Sequence, residues 1–298
     1  MEELLTNCRL CPRNCGVNRI NGETGFCGAT NKLRVARASL HMWEEPCISG
    51  QKGSGTVFFS YCSLRCIFCQ NSNISQNNFG KEITIERLAE IFLELQQKGA
   101  NNINLVTPTH YVPQIIEALK IAKTNGLIIP IVYNSSGYEN VETIKLLNGY
   151  VDIYLPDFKY YDNTIAQNFS TAPNYFNTAI NCIDEMVSQV KENVFDKNGI
   201  MQKGIIIRHL ILPSHTIDSK KIIKELLDRY KNKVYISLMS QYTPIKHLPY
   251  DELNSKLEKK EYDRVVNYAI KLGLTNGFIQ DGKAATESFI PEFDTSGV

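Results

Sequence analysis

Cys62-Ser-Leu-Arg-Cys66-Ile-Phe-Cys69 sets three thiols at C-x3-C-x2-C spacing. A loop of this length can wrap three thiolates around one face of a four-iron cubane. One iron is then left without a protein ligand, and an open coordination position is what chemistry at a cluster requires, whereas closed four-cysteine sites suit structure or electron transfer. On the residues alone a zinc knuckle or a redox-inert thiol loop are the alternatives. A second group, Cys8, Cys11, Cys15 and Cys27, is spaced C-x2-C-x3-C-x11-C. Four thiols opening on C-x2-C make a complete ligand set for zinc or for an iron–sulfur cluster. A metal there would also fold a segment that has little core of its own. The remaining two of the nine cysteines, Cys47 and Cys182, read as buried small hydrophobes. An odd, clustered set of thiols fits metal ligation in a reducing compartment better than a disulfide framework. The opening MEELLTN carries no basic start and apolar run of a secretory signal. No stretch approaches the roughly 18 apolar residues of a membrane span. A cytoplasmic protein without a membrane partner is therefore expected. A net charge of +1 over 298 residues also gives no electrostatic footprint for nucleic acid.

The elements that must hold these thiols begin near residue 55, where apolar strands alternate with amphipathic helices. Strands are expected at 55–60, 102–107, 127–133, 151–157, 204–212 and 233–240. Between them, 84–98 puts Ile85, Leu88, Phe92 and Leu95 on one face and stops at Gly99. Helical patterns recur at 111–124, 217–230 and 259–272, and Pro173 is expected in the first turn of another. Strict alternation implies a parallel sheet with right-handed crossovers. Six units point to an α/β fold, a partial (β/α)6 barrel, with a doubly wound sheet as the competing topology. The expected organisation is a loop-like, cysteine-rich metal-binding segment over 1–50, the barrel over 51–275 and a C-terminal extension over 276–298. Barrel chemistry sits at the C-terminal ends of the strands. Polar residues gather there: Cys62 after the first, Thr107, Thr109 and His110 after the second, Ser135 and Ser136 after the third. Asp157 and Lys159 follow the fourth, Arg208 lies on the fifth, and Gln241 and Tyr242 follow the sixth.

The three-cysteine spacing, the aromatic Phe68 before the last cysteine and its place after the first strand resemble the radical S-adenosylmethionine (SAM) superfamily. The chain as a whole resembles its uncharacterised branch related to pyruvate formate-lyase activating enzymes. That resemblance implies a [4Fe–4S] cluster on Cys62, Cys66 and Cys69, with SAM chelating the open iron and cleaved reductively to a 5′-deoxyadenosyl radical that abstracts hydrogen from a substrate. It also implies a low-potential electron donor of flavodoxin or ferredoxin type. By position, Thr107 and Thr109 stand where the relatives hold the SAM amino group, although the relatives' Gly-Gly-Glu type of turn is replaced here by Thr107-Pro108-Thr109-His110. Ser135 and Ser136 match ribose-facing positions, Asp157-Phe158-Lys159 resembles a SAM-proximal segment, and Gln241 or Tyr242 matches the adenosine side. Arg208 and His110 are the catalytic candidates, Arg208 because an unpaired buried guanidinium is costly unless it holds a carboxylate. Glycyl-radical activation of a partner, modification of a peptide or of a small molecule, and a non-catalytic iron–sulfur electron carrier are the competing functions.

Other signals carry less. Glu44 and Glu45 are adjacent, so in extended chain they point opposite ways and do not form a carboxylate pair. Gly50–Gly55 precedes a strand rather than a helix and lacks the phosphate-loop pattern. The lysines of 220–231 and 256–264 read as solvated helix faces.

Overall fold

A computed structural model describes residues 2–280 and 291–298, so part of the expected C-terminal extension lies outside the described residues. Ten strands form the sheet: β1 Leu33–His41, β2 Ser54–Phe59, β3 Lys81–Ile83, β4 Ile103–Val106, β5 Ile131–Ser135, β6 Ile153–Pro156, β7 Val194–Phe195, β8 Met201–Leu210, β9 Tyr235–Met239 and β10 Gly277–Ile279. Their spatial order is β10-β9-β8-β6-β5-β4-β2-β1-β3, with β7 beside β8. From β2 to β10 each parallel strand pairs with its successor in the chain, β7 apart. A doubly wound sheet reverses its strand order at a switch point, and this one does not. The sheet is that of a partial barrel.

The structure carries the sheet past both expected boundaries. Strand β1, inside the first fifty residues, pairs antiparallel with β2 and β3. Strand β10, beyond residue 275, adds in parallel to β9. The first fifty residues are thus loop-like only up to β1. Sequence pattern hid this strand because Arg34 and Arg37 break its apolar run. Arg34 reaches out to Glu82 at 2.8 Å and Arg37 to Asp294 at 3.0 Å.

Helices cover the outer face. Thr84 caps Ile85–Gln97 by accepting the Arg87 N–H at 3.1 Å. Leu88, Phe92 and Leu95 are buried against the sheet. Pro113 falls in the first turn of Val112–Thr124. Pro173 does not do so for its helix. Asn174 takes a left-handed conformation, and the helix starts only at Tyr175, running to Val190. Thr216–Tyr230 and Lys259–Lys271 complete the layer.

The pleat decides which residues can meet inside. Side chains alternate faces along a strand, and outward residues such as Ile103, Leu105, Tyr133, Tyr154, Ile205, Ile207, Ile236 and Leu238 join the helices in the main core. A second cluster, Val132, Ile153, Leu155 and Ile206 with Cys47 and Ile48, fills the barrel floor. The next inward positions up these strands are Asn134, Asp157 and Arg208, so the interior turns polar one layer above its apolar floor.

Candidate functional site

A cavity of about 240 Å³ opens above that floor, walled by Cys66, Cys69, Asp157, Lys159, Arg208 and Tyr242 among others. The thiol loop is shaped by two non-glycine residues in the left-handed region, Tyr61 (φ 74°) and Arg65 (φ 54°). Such conformations cost energy and concentrate at functional sites. Here they turn the chain so that Cys62, Cys66 and Cys69 lie close enough for their charges to act on one another. Each sulfur already meets a donor: Cys62 Sγ accepts the Leu64 N–H at 3.3 Å, Cys66 Sγ the Ser170 hydroxyl at 3.0 Å, and Cys69 Sγ the Ser75 hydroxyl at 3.4 Å. Burial, reinforced by the neighbouring Cys66, pushes the Cys62 thiol up to about 12. A bound cation is what would hold the cysteines of this loop as thiolates. Among the described residues no three His, Cys, Asp or Glu side chains converge on a single ion. In a cubane each thiolate binds a different iron. The three-thiol loop with a cavity at its open side fits that group.

Opposite the thiols, four strands supply one charged network. Arg208 on β8 donates through Nε to Asp157 at 3.0 Å, through Nη1 to Glu44 at 3.1 Å and through Nη2 to Asn134 at 2.6 Å. Lys159 Nζ donates to the other Asp157 oxygen at 2.6 Å. Asn104 and Asn134 both donate to Glu44 Oε1, at 3.1 and 3.3 Å. Burial alone would raise Asp157, but Lys159 and Arg208 outweigh it and hold the carboxyl below its ordinary range. Burial likewise opposes the charge on Arg208, and Asp157, Glu44 and Glu45 overcome it and raise the guanidinium. Glu44 is pushed up by burial, with Arg208 and Asn104 pulling it back. Arg208 is therefore fully engaged by protein groups, and its effect on the cavity is to position Asp157 and Glu44.

The remaining walls are aromatic and amide. Phe68 packs edge-on against Tyr242 at 5.9 Å, Tyr242 is pinned by donating to the Leu253 carbonyl at 2.6 Å, and Gln70 donates to the Gln241 carbonyl at 3.0 Å. Of the residues singled out from sequence, Cys66, Cys69, Phe68, Asp157, Lys159, Arg208, Gln241 and Tyr242 line this cavity together.

The others are placed elsewhere. Ser135 is one residue past the inward Asn134, so the pleat turns it outward beside the buried Glu139. Thr109 donates to the same carboxylate at 2.8 Å and Tyr133 at 2.9 Å. Ser136 presents its carbonyl to the Tyr175 hydroxyl at 2.9 Å. Thr107, left-handed at φ 59°, spends its N–H on the Asn134 carbonyl at 2.9 Å. His110 is buried behind β2, its Nε2 at 2.8 Å from the Ser60 carbonyl and its ring edge-on to Tyr61 at 6.3 Å. Burial and Arg19 lower it to about 3, which keeps it neutral. None of the five is in the cavity wall, and His110 props the turn that carries Cys62. Glu44, which sequence reasoning set aside, is in the wall, brought there because β1 ends with His41 beside Ser54 at the starts of the parallel strands, and the loop that follows reaches inward to Asn104 and Arg208.

The N-terminal cysteines gather outside this mouth. Cys11 is buried, Cys8 and Cys27 are half-buried and Cys15 is exposed. Cys11 feels the charges of the other three, and burial first and these neighbours next raise its thiol to about 12. Arg13 ties this segment to the site: it donates to the Ser63 carbonyl at 2.9 Å, the Ser170 carbonyl at 3.1 Å and the Thr171 carbonyl, and stacks on Phe26 at 3.7 Å.

A family model described as the radical SAM superfamily matches residues 56–196, the span from the first parallel strand through the thiol loop and the Asp157 segment. The chain belongs to the radical SAM superfamily. It is 30% identical over 285 residues to the uncharacterised protein MJ0674 of Methanocaldococcus jannaschii, covering 92% of this chain and 77% of that one. It is 29% identical over 213 residues to the pyruvate formate-lyase-activating enzyme of Clostridium pasteurianum, covering 70% of this chain and 79% of that enzyme. Among solved structures, Streptococcus suis SuiB bound to S-adenosylmethionine matches with a TM-score of 0.50 at 12% identity, over 74% of this chain and 48% of SuiB. The FeFe-hydrogenase maturase HydG of Carboxydothermus hydrogenoformans matches at 0.51 and 13% identity, over 79% and 56%. The chain spans about half of each of these two structures, and the likeness is one of fold. Superfamily membership brings SAM-dependent radical chemistry and an iron–sulfur cluster with it. Among the described residues no helix is long and apolar enough to cross a membrane.

Proposed function

We propose that the protein is a radical SAM enzyme whose [4Fe–4S] cluster sits on Cys62, Cys66 and Cys69, and that it abstracts hydrogen from a peptide or small-molecule substrate. The carrying observation is that Cys66 and Cys69 open into the same cavity as Asp157, Lys159, Gln241 and Tyr242. When bound, the cluster and SAM supply one-electron cleavage of the sulfonium to methionine and a 5′-deoxyadenosyl radical. The chain's own residues hold and orient. Asp157 and Lys159 offer a fixed carboxylate and ammonium to the charged amino-acid end of SAM. Phe68, Gln241 and Tyr242 offer aromatic faces and an amide to the adenosine. Arg208 positions Asp157 and Glu44 rather than touching the reacting atoms. The buried, neutral His110 holds the Tyr61–Cys62 turn.

The similarity to an activating enzyme supports a narrower reading, formation of a glycyl radical on a partner enzyme. The four N-terminal thiols bind a metal in either reading, zinc or a second iron–sulfur cluster. A low-potential flavodoxin- or ferredoxin-type donor supplies the electron, in a reducing cytoplasm that keeps all nine thiols free. The test is to reconstitute the protein anaerobically with iron and sulfide, add dithionite and SAM, and assay 5′-deoxyadenosine beside a variant with Cys62, Cys66 and Cys69 changed to Ala. Product with wild type and none with the variant is expected. Brown, fully loaded protein that neither binds nor cleaves SAM would make it an electron carrier instead.

A further inference from the structure

A second cavity, of about 690 Å³, lies beside the first and shares Trp43, Glu44, Arg208, Met239 and Gln241 with it. Its volume is in the range of pockets that bury a small molecule. The first cavity is lined by Cys66, Cys69, Asp157 and Lys159; the second is lined by none of these. Its walls are largely apolar, from Met42, Pro46, Phe278 and Ile279. Met42, Trp43 and Ile279 are also partly open to solvent, so the apolar surface continues to the mouth.

One polar group in this wall is out of place. Glu45 is only 8% exposed; Ser237 is a hydrogen-bond partner of its carboxyl, and its Oε2 has none among the described residues. A buried carboxylate oxygen left unpaired costs on the order of 1–3 kcal/mol or more. Glu45 lines the second cavity and not the first. The nearest cation, Arg208, is already held by Glu44, Asp157 and Asn134. Among the described residues of the two walls, Glu44, Glu45 and Asp157 stand against Arg208 and Lys159, three acids to two bases, with His41 also present in the first. Burial, with Glu44 adding to it and Arg208 pulling it back, pushes the Glu45 carboxyl above its ordinary range, and a cation entering the second cavity would favour the ionised form.

We propose that this second cavity is the substrate chamber and that it takes an apolar-bodied molecule bearing an amine, received by Glu45 at its floor. The assignment to substrate rests on the radical SAM reading; the binding specificity does not. A ligand seated there lies across the Glu44–Arg208 pair from the SAM cavity, within reach of a radical generated beside the thiols. An anionic ligand meets Glu45 and finds no uncommitted cation among the described wall residues.

The chain has a single tryptophan, Trp43, and it stands in the wall of both cavities. Its fluorescence therefore reports occupancy at this place. The experiment titrates the anaerobically reconstituted protein, without SAM or reductant, with phenylbutylamine, phenylbutanol and phenylbutyrate. Fluorescence reports the site and calorimetry the affinity. The amine is expected to saturate and to bind about ten- to a hundredfold tighter than the alcohol, the range of a hydrogen bond to a charged group, with the acid weakest. Glu45→Gln is expected to erase the amine's advantage and leave alcohol binding and iron content unchanged. Ile279→Lys, at the half-exposed mouth, is expected to weaken the amine about tenfold by like-charge repulsion without disturbing the fold. Acid binding equal to the amine, an amine preference that survives Glu45→Gln, or no saturable change at Trp43 each overturns the chamber. Because none of these readouts uses SAM cleavage, a failed deoxyadenosine assay with intact amine selectivity would sink the radical reading alone.

Discussion

Replacing Arg208 by Ala removes the hub of the network that faces the thiols. Two carboxylates lose their direct partner: Glu44, 9% exposed at its side chain, and Asp157, 15% exposed. Lys159 still holds Asp157, and Asn104 and Asn134 still hold Glu44, so the loss is partial. Breaking a buried pair from one side costs about 3–5 kcal/mol, because a charge is left without compensation. At roughly 2–4 °C per kcal/mol for a chain of this size, the melting temperature should fall on the order of 10 °C. Scanning calorimetry of the metal-free protein measures it without interference from cluster loss. The cause is tested by adding Glu44→Gln to Arg208→Met. If the charges are coupled as the geometry requires, the double variant is more stable than the sum of the single losses, by about 1–3 kcal/mol. A fall under about 3 °C for Arg208→Ala, or strict additivity in the cycle, would refute the buried network and with it the positioning role given to Arg208.

Two further predictions follow from the same layer. Gly137 lies at φ 73°, and a Cβ there would meet the Asp157 carbonyl at 2.3 Å. Gly137→Ala should cost about 1–3 kcal/mol and push Asp157 out of register, lowering deoxyadenosine yield while the iron content stays full. His209 sits neutral between the Phe158 carbonyl at 2.8 Å and the Ser219 hydroxyl at 2.9 Å, and burial lowers it from 6.5 to about 4. The unfolded chain then binds the extra proton first, so stability is full above pH 6.5 and is lost as pH falls toward 4, by up to about 1.4 kcal/mol per pH unit. Urea midpoints of wild type and His209→Gln between those limits should converge as the pH is lowered, and parallel curves would contradict the assignment.

The barrel and most of the cavity were legible because two simple signals agree: apolar runs mark parallel strands, and function gathers where those strands end. Phe68, Asp157, Lys159, Arg208, Gln241 and Tyr242, singled out in this way, line one cavity. Position along the chain could not tell Asn134 from Ser135, since a shift of one residue exchanges the two faces of a strand. Thr107, Thr109 and Ser136 were assigned by the same reasoning but lie past the strand ends, Thr107 in a left-handed turn and Thr109 in a short 3-10 helix, where strand alternation no longer sets direction. Glu44 and Glu45, expected to point opposite ways, both line the second cavity and both act on Arg208, because the chain bends at Glu44. What local pattern could not supply was β1, whose antiparallel pairing with β2 brings the following loop to the starts of the parallel strands and sets Glu44 in both cavity walls and Glu45 in the second. Glu139 was equally hidden, its meaning depending on Tyr133 within the strand before it and on Thr109 beyond the end of β4.

The Arg13 tie has a consequence for how the chain is made. Two of its carbonyl partners, Ser170 and Thr171, lie 157 and 158 residues further along. At about 5–20 residues per second of synthesis, the N-terminal thiols emerge and then wait roughly 8–30 s before the surface that clamps them exists. During that interval Cys8, Cys11, Cys15 and Cys27 lack this clamp and are open to whichever metal the nascent chain meets first.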